Sequence, residues 1–322
     1  MRATSLTLAA LLLFGCECSD AGSSAARVIA VIPKGTTHVF WRSVHAGALT
    51  AGRDRGVEIL WQGPVREDDR AAQIRVVEDM ISRRVAAIVL APLDDTALVP
   101  VASEAAREGI PVVIFDSDLD WDGRVSFVAT DNHAGGALAA ERLGALLEGR
   151  GRVLMMRYQE GSASTAAREA GFLEAMAARY PDVELVSTNQ YGGATTETAY
   201  TRAEGLLVRH PDVDGVFTPN ESTTFGMLRA LTDAGRAGAV RFVGFDANDG
   251  LVRALREGQV HGLVLQSPVR MGDLAVRAAV DQLDGRTVER RIDTGATMVT
   301  RDNMDEPAIA ALLAPDLSIL AN

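Results

Sequence analysis

The chain has 322 residues, 47% of them hydrophobic and 23% charged, with a formal net charge of −11. That is enough chain for two ordinary domains, and the acidic balance excludes a nucleic-acid binder, which needs a basic surface to meet phosphates. Both cysteines, Cys16 and Cys18, stand at the extreme N-terminus, which excludes a disulfide, a cysteine metal site or a catalytic thiol in the body.

Residues 1–15 read as an export signal. Arg2 supplies a positive start, and the apolar stretch 6–14 falls short of the ~20 residues that span a bilayer. The run Leu13-Phe14-Gly15-Cys16 resembles the lipobox of bacterial lipoproteins, with Phe14 where a smaller residue is usual. The resemblance implies that Cys16 is lipidated and begins the mature chain. The small polar segment 16–27 then serves as a tether. A plain secretory cut near Ala21 or Ala26 is the alternative.

From Val28 onward, short β-branched runs alternate with amphipathic stretches. Strands are predicted at 28–32, 58–62, 87–90, 112–115, 127–129, 153–156, 183–186, 215–217, 241–245 and 262–265. Helices are predicted at 39–55, 68–83, 98–108, 132–148 and 165–179, and a helical stretch follows each later strand. Such alternation means parallel sheets covered by helices. The strands are too many for one comfortable open sheet, so the fold class is α/β with two doubly wound parallel-sheet lobes. No Pro/Gly/Ser linker separates the halves, so several crossings of the chain are expected to join them.

Ligands of doubly wound sheets bind beyond the carboxyl ends of the strands. Those ends carry Lys34 and His38 with Phe40 and Trp41, then Asp116, Ser117 and Asp118, then Thr130, Asp131 and Asn132. Further on come Arg157-Tyr158-Gln159-Glu160, Arg168, Tyr191, Asn220 and Glu221, Asp246 and Gln266. Carboxylates, amides, cations and flat rings are the groups that hold a polyhydroxylated ring, through charge-assisted hydrogen bonds and stacking. Each residue alone has a plainer reading: Asn132 and Asn220 suit helix N-caps, and Phe40 suits a core. His38 serves equally as a ligand contact or a packing residue. Lys34, the single lysine among 32 basic residues, fits either the rim of a cleft or a donor inside it, where it would suit a sugar acid.

Taken together, Phe40-Trp41, Phe115-Asp116, Ala129-Thr130-Asp131-Asn132, Thr165 to Phe172, Pro219-Asn220-Glu221, Val243 to Asp246 and Leu265-Gln266 resemble the type I periplasmic sugar-binding proteins, the ribose- and galactose-binding group. The resemblance implies two lobes joined by three crossovers. Residues 28–130 with 267–293 would form the N-terminal lobe and 131–266 with 294–322 the C-terminal lobe. It implies that Phe40 and Trp41 sandwich a sugar ring, that Asp116, Arg168, Asn220, Asp246 and Gln266 bond its hydroxyls, and that Tyr191 closes one side. Lys34, His38 and Thr130 complete the expected site. Three positions depart from the family: Lys34 replaces a small polar residue, His38 an asparagine, and Ser117 the arginine of ribose binders.

The implied function is the solute-binding component of an ABC importer, a monomer that takes a monosaccharide or similar polyol and meets a membrane permease. A ligand-binding input to a chemoreceptor or sensor kinase is the alternative. No enzyme activity, cofactor or metal is expected. Asp118-x-Asp120-x-Asp122-Gly123 opens like a calcium loop, but its twelfth position is Ala129, inside a predicted strand.

Overall fold

The structure, a computed structural model, describes residues 27–321. The signal segment, the lipobox and Cys16 lie outside the described residues. In chain order the elements are β1 (Val28–Ile32), α1 (Val39–Arg55), β2 (Glu58–Trp61), α2 (Arg70–Ser82), β3 (Ala87–Leu90), α3 (Val99–Arg107), β4 (Val112–Phe115) and β5 (Phe127–Ala129). Then come α4 (Asn132–Leu146), β6 (Gly151–Arg157), α5 (Ala163–Arg179), β7 (Val183–Tyr191), α6 (Thr196–Arg209), β8 (Gly215–Phe217), α7 (Glu221–Asp233), β9 (Arg241–Phe245) and α8 (Asp249–Arg256). Last are β10 (Gly262–Gln266), α9 (Pro268–Leu283), β11 (Arg291–Asp293), β12 (Ala296–Val299), α10 (Pro307–Leu313) and a 3₁₀ turn, Ser318–Ala321.

Two six-stranded sheets result, ordered β11-β5-β4-β3-β1-β2 and β12-β10-β9-β8-β6-β7. The first is parallel throughout. The second is parallel except for β12, which runs antiparallel to β10. Successive strand residues face opposite sides of a sheet, so the continuous apolar runs serve two cores each. In β1, Ile29 and Val31 pack with α1 and α9, while Ala30 and Ile32 pack with α2 and α3. In β6, Val153 and Met155 face α4 and α5, while Leu154 and Met156 face α6 and α7.

The chain passes between the sheets three times, after β5, after β10 and between β11 and β12. At the first and third crossings Thr130 Oγ1 hydrogen-bonds the Gly295 carbonyl at 3.2 Å and meets Thr294 Oγ1 at 3.4 Å. The tail then makes a further connection. Ile309 of α10 joins the core of the second lobe, but Ser318–Ala321 packs on α1 of the first, with Ile319 beside Leu49, Val57 and Ile59. The expected assignment of 294–322 to the second lobe is therefore corrected at its end, because an apolar patch on α1 draws the last turn back.

The close helix pairs depend on glycine. A Cβ on Gly136 of α4 would stand 1.9 Å from the Arg168 carbonyl oxygen of α5, and one on Gly171 of α5 2.0 Å from that of His133. Bare backbone there seats α5, and Arg168 with it, hard against α4.

Candidate ligand-binding cleft

The carboxyl ends of both sheets converge on one cavity. Lys34, His38, Phe40, Trp41, Glu67 and Asp116 line it from the first lobe, and Tyr158, Ser164, Thr165, Arg168, Asn220, Glu221, Asp246 and Gln266 from the second. The space between atoms is about 350 Å³, part of it open at the mouth.

Arg168 is 2% exposed. Its Nε donates to Asn132 Oδ1 at 2.8 Å and its Nη1 to the Pro219 carbonyl at 2.9 Å. Its guanidinium lies 4.3 Å from the Phe245 ring centroid, and Nη1 stands 3.8 Å from Asp246 Oδ2. Gln266 Nε2 donates to Asp246 Oδ1 at 2.8 Å. Burial raises the Asp246 carboxyl above the usual range, against the opposing pull of Arg168 and Gln266. Asn132 also links the lobes, its Nδ2 donating to the Asp116 carbonyl at 3.4 Å.

Lys34 is 3% exposed and belongs inside the cleft, so the rim reading is set aside. Its Nζ stands 3.4 Å from Asp116 Oδ2 and donates across the cleft to Ser162 Oγ at 3.1 Å and Ser164 Oγ at 3.2 Å. Ser117 Oγ accepts from the Ser164 N–H at 3.1 Å. Where ribose binders carry an arginine, this chain therefore has a small residue in an inter-lobe hydrogen bond. The cation beside Asp116 comes instead from the end of β1.

Glu67, which strand-end reading overlooked, is the hub of the cleft. It is 6% exposed, in the loop after β2. Its Oε1 accepts from Trp41 Nε1 at 2.7 Å and pairs with His38 Nδ1 at 2.7 Å. Its Oε2 accepts from Tyr158 Oη, in the other lobe, at 2.6 Å. Burial alone would raise Glu67, but the His38 charge and the three donors hold it at about 2. Burial likewise opposes the charge on His38, and Glu67 overrides it to raise the imidazole to about 9. The two therefore stand as an ion pair at neutral pH. The advance signal for Glu67 was the charged run Arg66-Glu67-Asp68-Asp69 in the loop that follows a strand.

Other expected roles are revised. Trp41 and Phe40 stand edge to face, with planes at 87° and centroids 4.9 Å apart, so they cannot flank one ring in parallel. Trp41 is buried against Phe115 instead, and only Phe40 of the two remains partly exposed. Tyr191 lies outside the cavity, in an outer groove between the end of β7 and α6, under the Arg157 guanidinium at 4.9 Å. Thr130 is fully buried at the chain crossings and is not among the residues that line the cavity. Asn220 takes both readings: its Oδ1 caps α7 through Thr223, and the residue also lines the cavity.

Two lobes with parallel sheets, several chain crossings and a polar cavity between them define a clamp-type solute-binding protein. The comparisons agree: residues 29–287 match the family described as the periplasmic binding protein domain, and the chain belongs to that family. It is a type I periplasmic sugar-binding protein of the ribose and galactose group. A D-ribose/D-allose-binding protein of Pseudomonas aeruginosa is 32% identical over 82% of this chain and 85% of its own length. A solute-binding protein of a carbohydrate transporter from Agrobacterium radiobacter, solved with D-arabinose, has a TM-score of 0.87 at 34% identity, covering 90% of this chain and all of that one. One from Agrobacterium vitis, solved with D-fucose, has a TM-score of 0.85 at 36% identity, covering 89% of this chain and 99% of that one. Among the described residues no helix is long and apolar enough to cross a membrane.

Proposed function

We propose that this chain captures one monosaccharide or comparable polyol between its lobes and presents it, unchanged, to the permease of an ABC importer. The observation that carries this reading is the convergence of Lys34 and Asp116 from one lobe with Arg168, Asn220, Asp246 and Gln266 from the other on one cavity. Each charge-assisted hydrogen bond to a hydroxyl contributes roughly 1.5–3 kcal/mol. A few of them, less the cost of closing, reach about the −8 kcal/mol of micromolar binding.

Sugar shifts the open and closed lobes only as far as it prefers the closed form. The bodies that move are 28–130 with 267–293 and 131–266 with the tail up to the last turn. The protein acts as an exported monomer held at a membrane by acyl chains on Cys16, each buried methylene adding ~0.8 kcal/mol. It performs no catalysis: the family it belongs to and the relatives it resembles are binding proteins.

A thermal-shift screen of pentoses, hexoses, alditols and sugar acids tests the reading. A ligand at 100 times its dissociation constant stabilises by ~2.7 kcal/mol. Arg168→Ala should lose that shift while remaining folded. No shift with any monosaccharide or polyol would refute the assignment.

A further inference from the structure

Three cations face four carboxylates across the cavity. Lys34 stands with Asp116, Arg168 with Asp246 and His38 with Glu67. The fourth carboxylate, Glu221, has no cation at salt-bridge distance among the described residues. It is 8% exposed, at the first turn of α7, and its Oε1 accepts from Asn248 Nδ2 at 3.3 Å. Its Oε2 is buried without any hydrogen-bond partner, as is Gln266 Oε1, on a residue 5% exposed. Both orphan atoms are acceptors, and both residues line the same cavity. A buried acceptor left unpaired is destabilising, so both point to donors supplied from within the cavity.

We infer that Glu221 is a ligand-contacting residue that sets specificity: with Gln266 it accepts hydrogen bonds from hydroxyls of a neutral sugar or polyol, and its unbalanced charge excludes anionic analogues such as sugar acids and sugar phosphates. The inference rests on the sugar-binding reading and narrows it. Lys34 does not create a place for a sugar carboxylate, because Asp116 already balances it. Burial raises the Glu221 carboxyl, and the more distant His38 charge, the Asn248 amide and the Phe40 backbone N–H offset it only in part.

Calorimetric titration of the folded protein decides the matter. The probes are D-ribose, D-arabinose, D-galactose and ribitol, against D-ribonate, D-arabinonate and D-galacturonate. The wild type should bind at least one neutral probe 100-fold more tightly than its matched acid. Glu221→Gln, close in shape but uncharged and with a donor added, should bind that probe at least 10-fold more weakly and narrow the neutral-to-acid ratio at least 10-fold. Glu221→Asp keeps the charge but withdraws it by one methylene, so it should lose affinity while keeping the ratio. Circular dichroism and melting confirm that each variant is folded. Unchanged affinity and ratio in Glu221→Gln, or a wild type that prefers an acid, overturns the inference and leaves sugar binding intact. A wild type that binds neither these probes nor any other monosaccharide or polyol of the thermal-shift screen overturns the sugar-binding reading and the inference with it.

Discussion

Asp116 and Asp246 hold the same place in the two lobes. Each directly follows a phenylalanine that ends a strand, each adopts a left-handed backbone (φ of 60° and 62°), and each reaches into the shared cavity. Each also has a cation from its own lobe, Lys34 at 3.4 Å and Arg168 at 3.8 Å. Left-handed backbone costs an ordinary side chain about 1–2 kcal/mol, less for Asp and Asn. Held at a ligand site, it turns a strand-end carboxylate toward the other lobe.

That geometry separates the backbone role of Asp246 from its charge. Asp246→Asn keeps the turn but loses the charge, and sugar affinity should fall about 10- to 100-fold, as for the loss of one charge-assisted hydrogen bond. Asp246→Ala should bind equally poorly and lose about 1 kcal/mol more stability than the Asn variant, because alanine tolerates the left-handed region less well. Alanine also removes the acceptor of Gln266 Nε2 that asparagine keeps, so Asp246→Gly, which lacks that acceptor but tolerates the left-handed region, is the comparison with alanine that isolates the backbone. Calorimetry and urea unfolding measure the two quantities, and equal stabilities of the alanine and glycine variants would remove the backbone argument.

The His38–Glu67 pair makes stability depend on pH in both directions. His38 is raised from 6.5 to about 9, so its contribution is complete below pH 6.5 and lost as pH rises through about 9. Glu67 is lowered from 4.5 to about 2, so its contribution is complete above pH 4.5 and lost as pH falls through about 2. The two overlap in a plateau between pH 4.5 and 6.5. Above it, unfolding free energy should decline by about 3 kcal/mol by pH 9.5, the pair being counted once. The charges of Glu221 and Asp246, which also face His38, are already part of that raised value. His38→Gln should flatten that limb, and an unaltered profile in the variant would show that another group titrates there.

Tyr158 is the reporter for closure. Burial and the Glu67 charge keep its phenol protonated well past neutral pH, so it remains the donor in the 2.6 Å bond that ties the lobes. Tyr158→Phe removes that bond and leaves the carboxylate its partners in the first lobe. Affinity should weaken about 10-fold, mostly as faster dissociation, since a hydrogen bond to a charged group contributes ~1.5–3 kcal/mol. Stopped-flow binding gives the rates, and small-angle scattering of the unliganded variant should show a larger radius than wild type. Unchanged rates and radius would mean that closure does not draw on this bond.

The sequence made the strand and helix alternation legible because hydrophobic periodicity is a local property. The ten strands read from it are all present. β7 extends past the predicted 183–186 to Tyr191, because its polar half, Ser187 to Gln190, is held by pairing with β6 through two register shifts. The short strands β11, with one apolar residue in three, and β12, a four-residue run with no helical stretch after it in the alternation, were not read. They are strands because β5 and β10 offer them an edge. One error was avoidable: consecutive helical residues point about 100° apart, so Phe40 and Trp41 were poor candidates to flank a single ring.

By itself, then, the sequence determined two doubly wound sheets and the strand ends at which binding groups collect, since both follow from spacing along the chain. Only the tertiary structure decided which charges meet. Lys34 reaches Ser162, 128 residues away, Glu67 joins Tyr158, 91 residues away, and Glu221 Oε2 is left without a hydrogen-bond partner among the described residues. Such pairings depend on through-space distances of a few ångströms between separate lobes, and no local pattern of residues encodes them.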